Sequence, residues 1–172
     1  MSTDADEFGK RIDSLLNLPD QMWLLGAGVS KNAGIPLMGP LTDRVEQMLA
    51  DEQLSDVRAM REELRETAHV EHVLSHLGDL ISMAERTKHG TAMVGKVARN
   101  VESLRRLHAR IQECVRDTIR FGYTAPEAGG VARIGTQEHP IVTIERHTSF
   151  VRSLFGKRRA GLERRPPVPF FT

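Results

Sequence analysis

The stretch "WLLGAGVSKNAGIP", Trp23 to Pro36, places three glycines, a serine and an asparagine directly behind a short apolar run. The run itself, Met22 to Leu25, is bounded by Asp20 and Gly26. It is too short for a helix and apolar throughout, which fits a buried strand opening an α/β unit. Gly26 and Gly28 permit tight turning and close backbone approach, and Ser30 can donate a hydroxyl or cap the next helix. A turn leading from a strand into a helix presents unpaired N–H groups and a partial positive charge, where phosphates bind readily. Two familiar nucleotide patterns do not fit. Lys31 stands where GxGxxG requires its third glycine, and GxxxxGK[ST] is absent. On its own, "GAG" after a strand reads equally well as close backbone packing.

The surrounding chain fixes the class. Its 172 residues, 40% apolar and 27% charged, are the make-up of an ordinary globular domain able to bury a core. A formal net charge of +1 implies neither nucleic acid nor an acidic partner. A single cysteine, Cys114, builds no disulfide framework and no cysteine zinc cage. The acidic start "MSTDADEF" is unlike a signal peptide. No apolar run approaches the roughly 20 residues that cross a bilayer. The expectation is a cytoplasmic protein with no membrane contact.

Upstream of the glycine stretch, Phe8, Ile12, Leu15 and Leu16 recur at helical spacing, predicting an amphipathic helix that ends near Pro19. Downstream, Thr42 is placed to cap a helix carrying Leu41, Val45, Met48 and Leu49. Val57, Met60 and Leu64 form a weak stripe, and Val70, Val73, Leu74, Leu77, Leu80 and Ile81 a strong one. Val97, Val101, Leu104, Leu107 or His108, Ile111, Val115 and Ile119 carry the period over about six turns. Residues 42–120 thus read as a helical subdomain. Residues 121–140, with Gly122, Pro126, Gly129, Gly130, Gly135 and Pro140, read as a loop long enough to be mobile or to act as a lid. Ile144, Thr148, Val151, Leu154 and Phe155 suggest one more helix. The basic run through Lys157, Arg158, Arg159, Arg164 and Arg165 reads as a solvated turn. "VPFFT", Val168 to Thr172, looks like a second buried strand. Two strands do not complete a doubly wound sheet, so the residues read as the front part of a longer protein.

As a whole, "GAGVSKNAGIP" resembles the signature that opens sirtuins and sirtuin-like NAD hydrolases, GAG-[IV]-S followed by [SA]-G-I-P. Gly26, Ala27, Gly28, Ser30, Gly34, Ile35 and Pro36 match it position by position. The resemblance implies that this segment wraps the NAD pyrophosphate and the adjacent ribose. "PPVPFFT" is similar to the strand leading into the family's catalytic segment, with Thr172 as its opening threonine and the family's catalytic asparagine and histidine beyond it. "VEHVLSHL", Val70 to Leu77, resembles a helix of the hydrolase branch. Two departures favour that branch over the deacylases. Leu37, Met38 and Gly39 stand where deacylases have D-F-R, and the helical insertion is long.

The resemblance implies an α/β fold: the N-terminal part of a Rossmann-like sirtuin domain carrying a large helical insertion, the chain ending before the catalytic segment. It implies NAD as substrate, with nicotinamide released and ADP-ribose left, so that NAD is depleted in anti-phage defence. It further implies a homo-oligomer working with a HerA-type ATPase or, alternatively, a prokaryotic Argonaute. A lysine deacylase and a non-catalytic NAD or ADP-ribose binding module are the competing readings. Other chemistry-bearing residues read as structural. His69, His72 and His76 lack the HExxH pattern and suit a solvated helix face. Cys114 suits a buried thiol. "GTQEHP", Gly135 to Pro140, suits a loop.

Overall fold

The computed structural model describes residues 3–16, 23–24, 26–127, 130–145, 147–149, 152 and 170–171. It is a helix-rich mixture of helices and small sheets, divided into two compact units: Ser30–Val142, and Met1–Val29 with Thr143–Thr172.

In the larger unit, four helices wrap one apolar core. They are α2 (Met38–Met48), α3 (Asp51–Glu63), α4 (Val70–Arg86) and α5 (Val101–Phe121). Each buries the stripe its spacing dictates: Leu41 and Val45 from α2, Val57 and Met60 from α3, and Val70, Val73, Leu77, Leu80 and Ala84 from α4. From α5 come Leu104, Leu107, Ile111 and Cys114. Val97 and Ile119, expected on that last stripe, are instead exposed.

Val97 is exposed because it is not helical. A β-hairpin intervenes, pairing β2 (Thr91–Val94) antiparallel with β3 (Val97–Asn100) around a Gly95–Lys96 turn. Gly95 takes φ 55°, the left-handed conformation that such two-residue turns require. Ala92 and Val94 face the core and Met93 faces out, the alternation of a half-buried strand. The long helix therefore starts at Val101, where Asn100 Oδ1 accepts from the Ser103 N–H at 2.8 Å. Val97 satisfies a helical and a strand period alike, which is why spacing misassigned it.

Thr42 does not cap its own helix. α2 begins four residues earlier, with Pro40 in its first turn, where a missing N–H costs nothing. The Thr42 hydroxyl donates to the Met38 carbonyl at 2.8 Å and accepts from the Val70 N–H at 3.0 Å. It thus caps the N-terminus of α4 across the core. Charged side chains tie the same elements at their edges. Arg99 on β3 reaches Asp56 at 2.9 Å and Glu52 at 2.8 Å on α3. The bond to Asp56 raises the Arg99 pKa further. Arg61 pairs with Glu46, and Arg110 donates to the Met48 carbonyl at 3.1 Å, a cation at the C-terminus of α2.

Residues 121–140 contain more than a loop. Two short strands, β4 (Tyr123–Thr124) and β5 (Arg133–Ile134), pair antiparallel within them. The smaller unit holds α1 (Thr3–Leu16), β1 (Trp23–Leu24) and β6 (Phe170–Phe171). β1 and β6 pair in parallel, Trp23 opposite Phe170 and Leu24 opposite Phe171. Residues 145, 147–149 and 152 are helical, within the last helix expected. The expected helix end at Pro19 and the basic run from Lys157 to Arg165 lie outside the described residues. Among the described residues, no helix is long and apolar enough to cross a membrane.

Two substitutions test this core. Leu77 is fully buried, and Leu77→Ala is expected to lower the unfolding free energy by about 2–5 kcal/mol. Thr42→Val keeps the shape but strands the Val70 N–H, and is expected to cost about 1–3 kcal/mol. Thr42→Ser, which keeps the hydroxyl, should cost clearly less. Urea unfolding of the three variants checks both, and equal losses for Val and Ser at position 42 would remove the capping role.

Candidate functional site: the glycine turn

The glycine stretch begins two residues past the described end of β1, at Gly26, and forms a 3-10 helix over Ala27–Ala33. The Val29 N–H donates to the Gly26 carbonyl at 3.0 Å, closing the first turn. At the far end, Gly34 N–H donates to Lys31 at 3.1 Å and Ile35 N–H to Ser30 at 3.3 Å. The boundary between the two compact units falls between Val29 and Ser30, so Gly26, Ala27 and Gly28 belong to one and Ser30, Gly34, Ile35 and Pro36 to the other. Thr172 lies outside the described residues.

The three glycines are not alike. Gly34 adopts φ 83°, and a Cβ there would lie 2.9 Å from the Ile141 carbonyl oxygen. Its own carbonyl accepts the Tyr123 N–H at 2.9 Å. Packing and backbone conformation therefore account fully for a glycine at this position. Gly26 and Gly28 differ on both counts. Neither has positive φ, and among the described residues nothing lies within 4 Å of a Cβ built on either. Both are exposed. The fold makes no demand for glycine there; a ligand that needs to approach the backbone would.

In the larger unit, Ile35 and Pro36 line a cavity of about 250 Å³ with Lys31, Leu37 and Pro40, faced by Tyr123 through Glu127. Its walls are mostly apolar. Lys31 and the start of α2 put positive charge beside it, since the N-cap Leu37 supplies no side-chain hydrogen bond to the helix N-terminus. The volume falls just below the range of about 300–1,000 Å³ that encloses a drug-sized ligand. It suits one ring or one sugar, not a whole dinucleotide.

Several residues here escaped the sequence reading. Gly122, at φ 92°, ends α5 and passes so close to Ile141, Val142 and Gly34 that no Cβ fits. Its place just after a long apolar stripe was a signal for a helix C-cap. Tyr123, the single tyrosine, is buried, with the Arg44 guanidinium 5.9 Å from its ring centroid. In the smaller unit, His147 Nε2 lies 3.1 Å from the Val29 carbonyl. Nothing in the sequence links these two residues, which stand 118 positions apart.

The remaining candidates resolve as follows. The His69 and His72 rings lie with centroids 4.2 Å apart and planes tilted by 58°, and His72 Nδ1 accepts the His69 N–H at 3.3 Å. His76 pairs with Glu63 at 3.1 Å. Among the described residues, no three His, Cys, Asp or Glu side chains gather as a metal set. Cys114 is fully buried, and that burial pushes its thiol pKa up, away from the thiolate a nucleophile needs. Residues 135–140 are without regular structure. Comparison with protein-family models, with curated proteins and with solved structures finds no match.

The division among the glycines predicts opposite mutational outcomes. Gly34→Ala puts a side chain into left-handed backbone and against the Ile141 carbonyl, and is expected to cost at least about 1–2 kcal/mol. Gly28→Ala is expected to change stability by no more than about 0.5 kcal/mol. Urea unfolding separates them, and equal losses at the two positions would contradict the distinction.

Proposed function

We propose that this chain is the N-terminal part of a Rossmann-like, sirtuin-like domain with a helical insertion over residues 42–120, and that the full protein hydrolyses NAD. One observation carries the reading: among the described residues nothing packs against Gly26 or Gly28, and they stand on the turn that follows a strand paired in parallel. In open parallel sheets, ligands bind outside the carboxyl ends of the strands. The match of Gly26, Ala27, Gly28, Ser30, Gly34, Ile35 and Pro36 to the family signature supports the same assignment.

The chemistry follows from the substrate. NAD's glycosidic bond breaks by loss of nicotinamide, leaving an oxocarbenium-like ribosyl centre that water then captures to give ADP-ribose. A pyridinium is already a good leaving group, so the protein's task is to hold the bond in place and admit the acceptor on one side. In this reading Gly26, Ala27, Gly28 and Ser30 cradle the pyrophosphate. Gly34 shapes the exit of the turn, and Ile35 and Pro36 border a ring- or sugar-sized space. We assign no catalytic residue among those described. The helical faces of residues 42–120 offer a surface for self-association and for a HerA-type ATPase or a prokaryotic Argonaute, in a cytoplasmic defence assembly that depletes NAD.

The test is NAD turnover by the full-length protein beside Gly28→Val and Ser30→Ala. Gly28 has room for a side chain in the free protein, so Gly28→Val is expected to fold while losing at least about tenfold in kcat/KM. Released nicotinamide and ADP-ribose, measured chromatographically, are the readout. NAD left intact by the wild type, alone and with the partner ATPase, would overturn the hydrolase reading. Removal of acyl groups from lysine peptides would point to a deacylase instead.

A further inference from the structure

Within the smaller unit, one long-range contact touches the glycine turn. His147 sits on a short helical segment fixed by the Thr148 N–H, which donates to the Ile144 carbonyl at 2.8 Å. From there its Nε2 reaches the carbonyl of Val29 at 3.1 Å. A carbonyl only accepts, so Nε2 carries a hydrogen. The ring's Nδ1 is buried and has no hydrogen-bond partner among the described residues. A buried polar atom without a hydrogen-bond partner is costly and uncommon in folded proteins. Among the described residues, the ring is therefore not held by bonds at both ends. Its one polar tie among the described residues is to the turn.

Val29 is the residue between Gly28 and Ser30. A run with glycine at two of its first three positions has little stiffness of its own, because glycine restricts φ and ψ least. Among the described residues, neither glycine has a packing neighbour within 4 Å of its missing side chain to hold it in place. A hydrogen bond to the carbonyl of the intervening residue supplies the missing restraint. Orienting that peptide in advance removes part of the ordering cost when a ligand approaches the backbone.

We propose that His147 is a positioning residue of the glycine turn, its Nε2–H clamping the Val29 carbonyl so that Gly26 to Val29 are ordered before the nucleotide binds. The nucleotide part of this inference rests on the NAD reading above; the clamp itself does not. Because the restraint acts equally on bound substrate and transition state, its loss weakens binding and leaves the chemical step nearly untouched.

The experiment compares the full-length wild type with His147→Phe, which keeps a ring without the donor, and His147→Gln, which returns an N–H donor. Hydrogen exchange is followed on peptides covering residues 26–33, and KM and kcat are measured for NAD. In His147→Phe, exchange in these peptides is expected to quicken and the KM for NAD to rise, each by about tenfold, with kcat within about twofold of wild type. His147→Gln is expected to recover both to within about threefold. If the Phe variant fails to fold, His147→Asn, too short to reach the carbonyl, replaces it. Unchanged exchange in the turn overturns the clamp. Faster exchange with unchanged KM, or a Gln variant as impaired as Phe, overturns the positioning role. Faster exchange in a protein whose wild type neither binds nor consumes NAD leaves the clamp standing and overturns the NAD reading, together with the nucleotide role given to His147.

Discussion

The larger unit depends on a backbone crossing too tight for side chains. The Tyr123 N–H donates to the Gly34 carbonyl at 2.9 Å, the Ile141 N–H to Phe121 at 2.8 Å, and the Gly135 N–H to Gly122 at 2.9 Å. Three segments distant in sequence meet there, each contributing glycine or bare backbone. At Gly34 and Gly122 the conformation is left-handed, and at Gly135 a Cβ would run into the Phe121 carbonyl. The apolar core fixes where α5 ends, and Gly122 turns the chain at that point. The turn then brings Tyr123 beside the exit of the glycine stretch. Packing of the helices and placement of residues 34–36 are therefore one problem with one solution. A side chain at the crossing would disturb both.

This arrangement makes the helices of the larger unit more than a spacer. Tyr123, on β4 two residues past the end of α5, is buried and also lines the cavity that Ile35 and Pro36 border. Thr42, in the helix that starts beside the same cavity, spends its hydroxyl on the first N–H of α4. The cavity's walls are thus connected to the core through α2 and α5. They are held by buried atoms and not by the weaker ion pairs at the surface.

The sequence carried much of this, and unevenly. Helical stripes on α4 and α5 were legible because burial imposes a period, and Val73, Leu77, Leu104 and Ile111 sit where that period puts them. The hairpin at Thr91–Asn100 was missed because Val97 fits both periods. The Gly95–Lys96 turn and the Asn100 cap were present as signals but were outweighed by a long apolar repeat. The start of α2 was illegible for a different reason: Leu37 offers no capping side chain, so Thr42 drew an assignment that belongs to another helix. The pairing of β4 with β5 and the contact between His147 and Val29 are products of tertiary structure. No local pattern encodes them.

The glycines show most clearly what a motif can and cannot say. A sequence pattern treats Gly26, Gly28 and Gly34 as equal members of one signature. Physically they answer to different constraints. Gly34 is demanded by the folded chain itself, through its φ of 83° and the Ile141 carbonyl, and would be glycine in a protein that bound nothing. Among the described residues, nothing crowds Gly26 or Gly28 and neither is in the left-handed region, so packing there gives no reason for their identity. The ligand proposed above, approaching the backbone closely, would supply such a reason. In the proposed function, Gly26 and Gly28 are the glycines that answer to a ligand, and Gly34 answers to the fold.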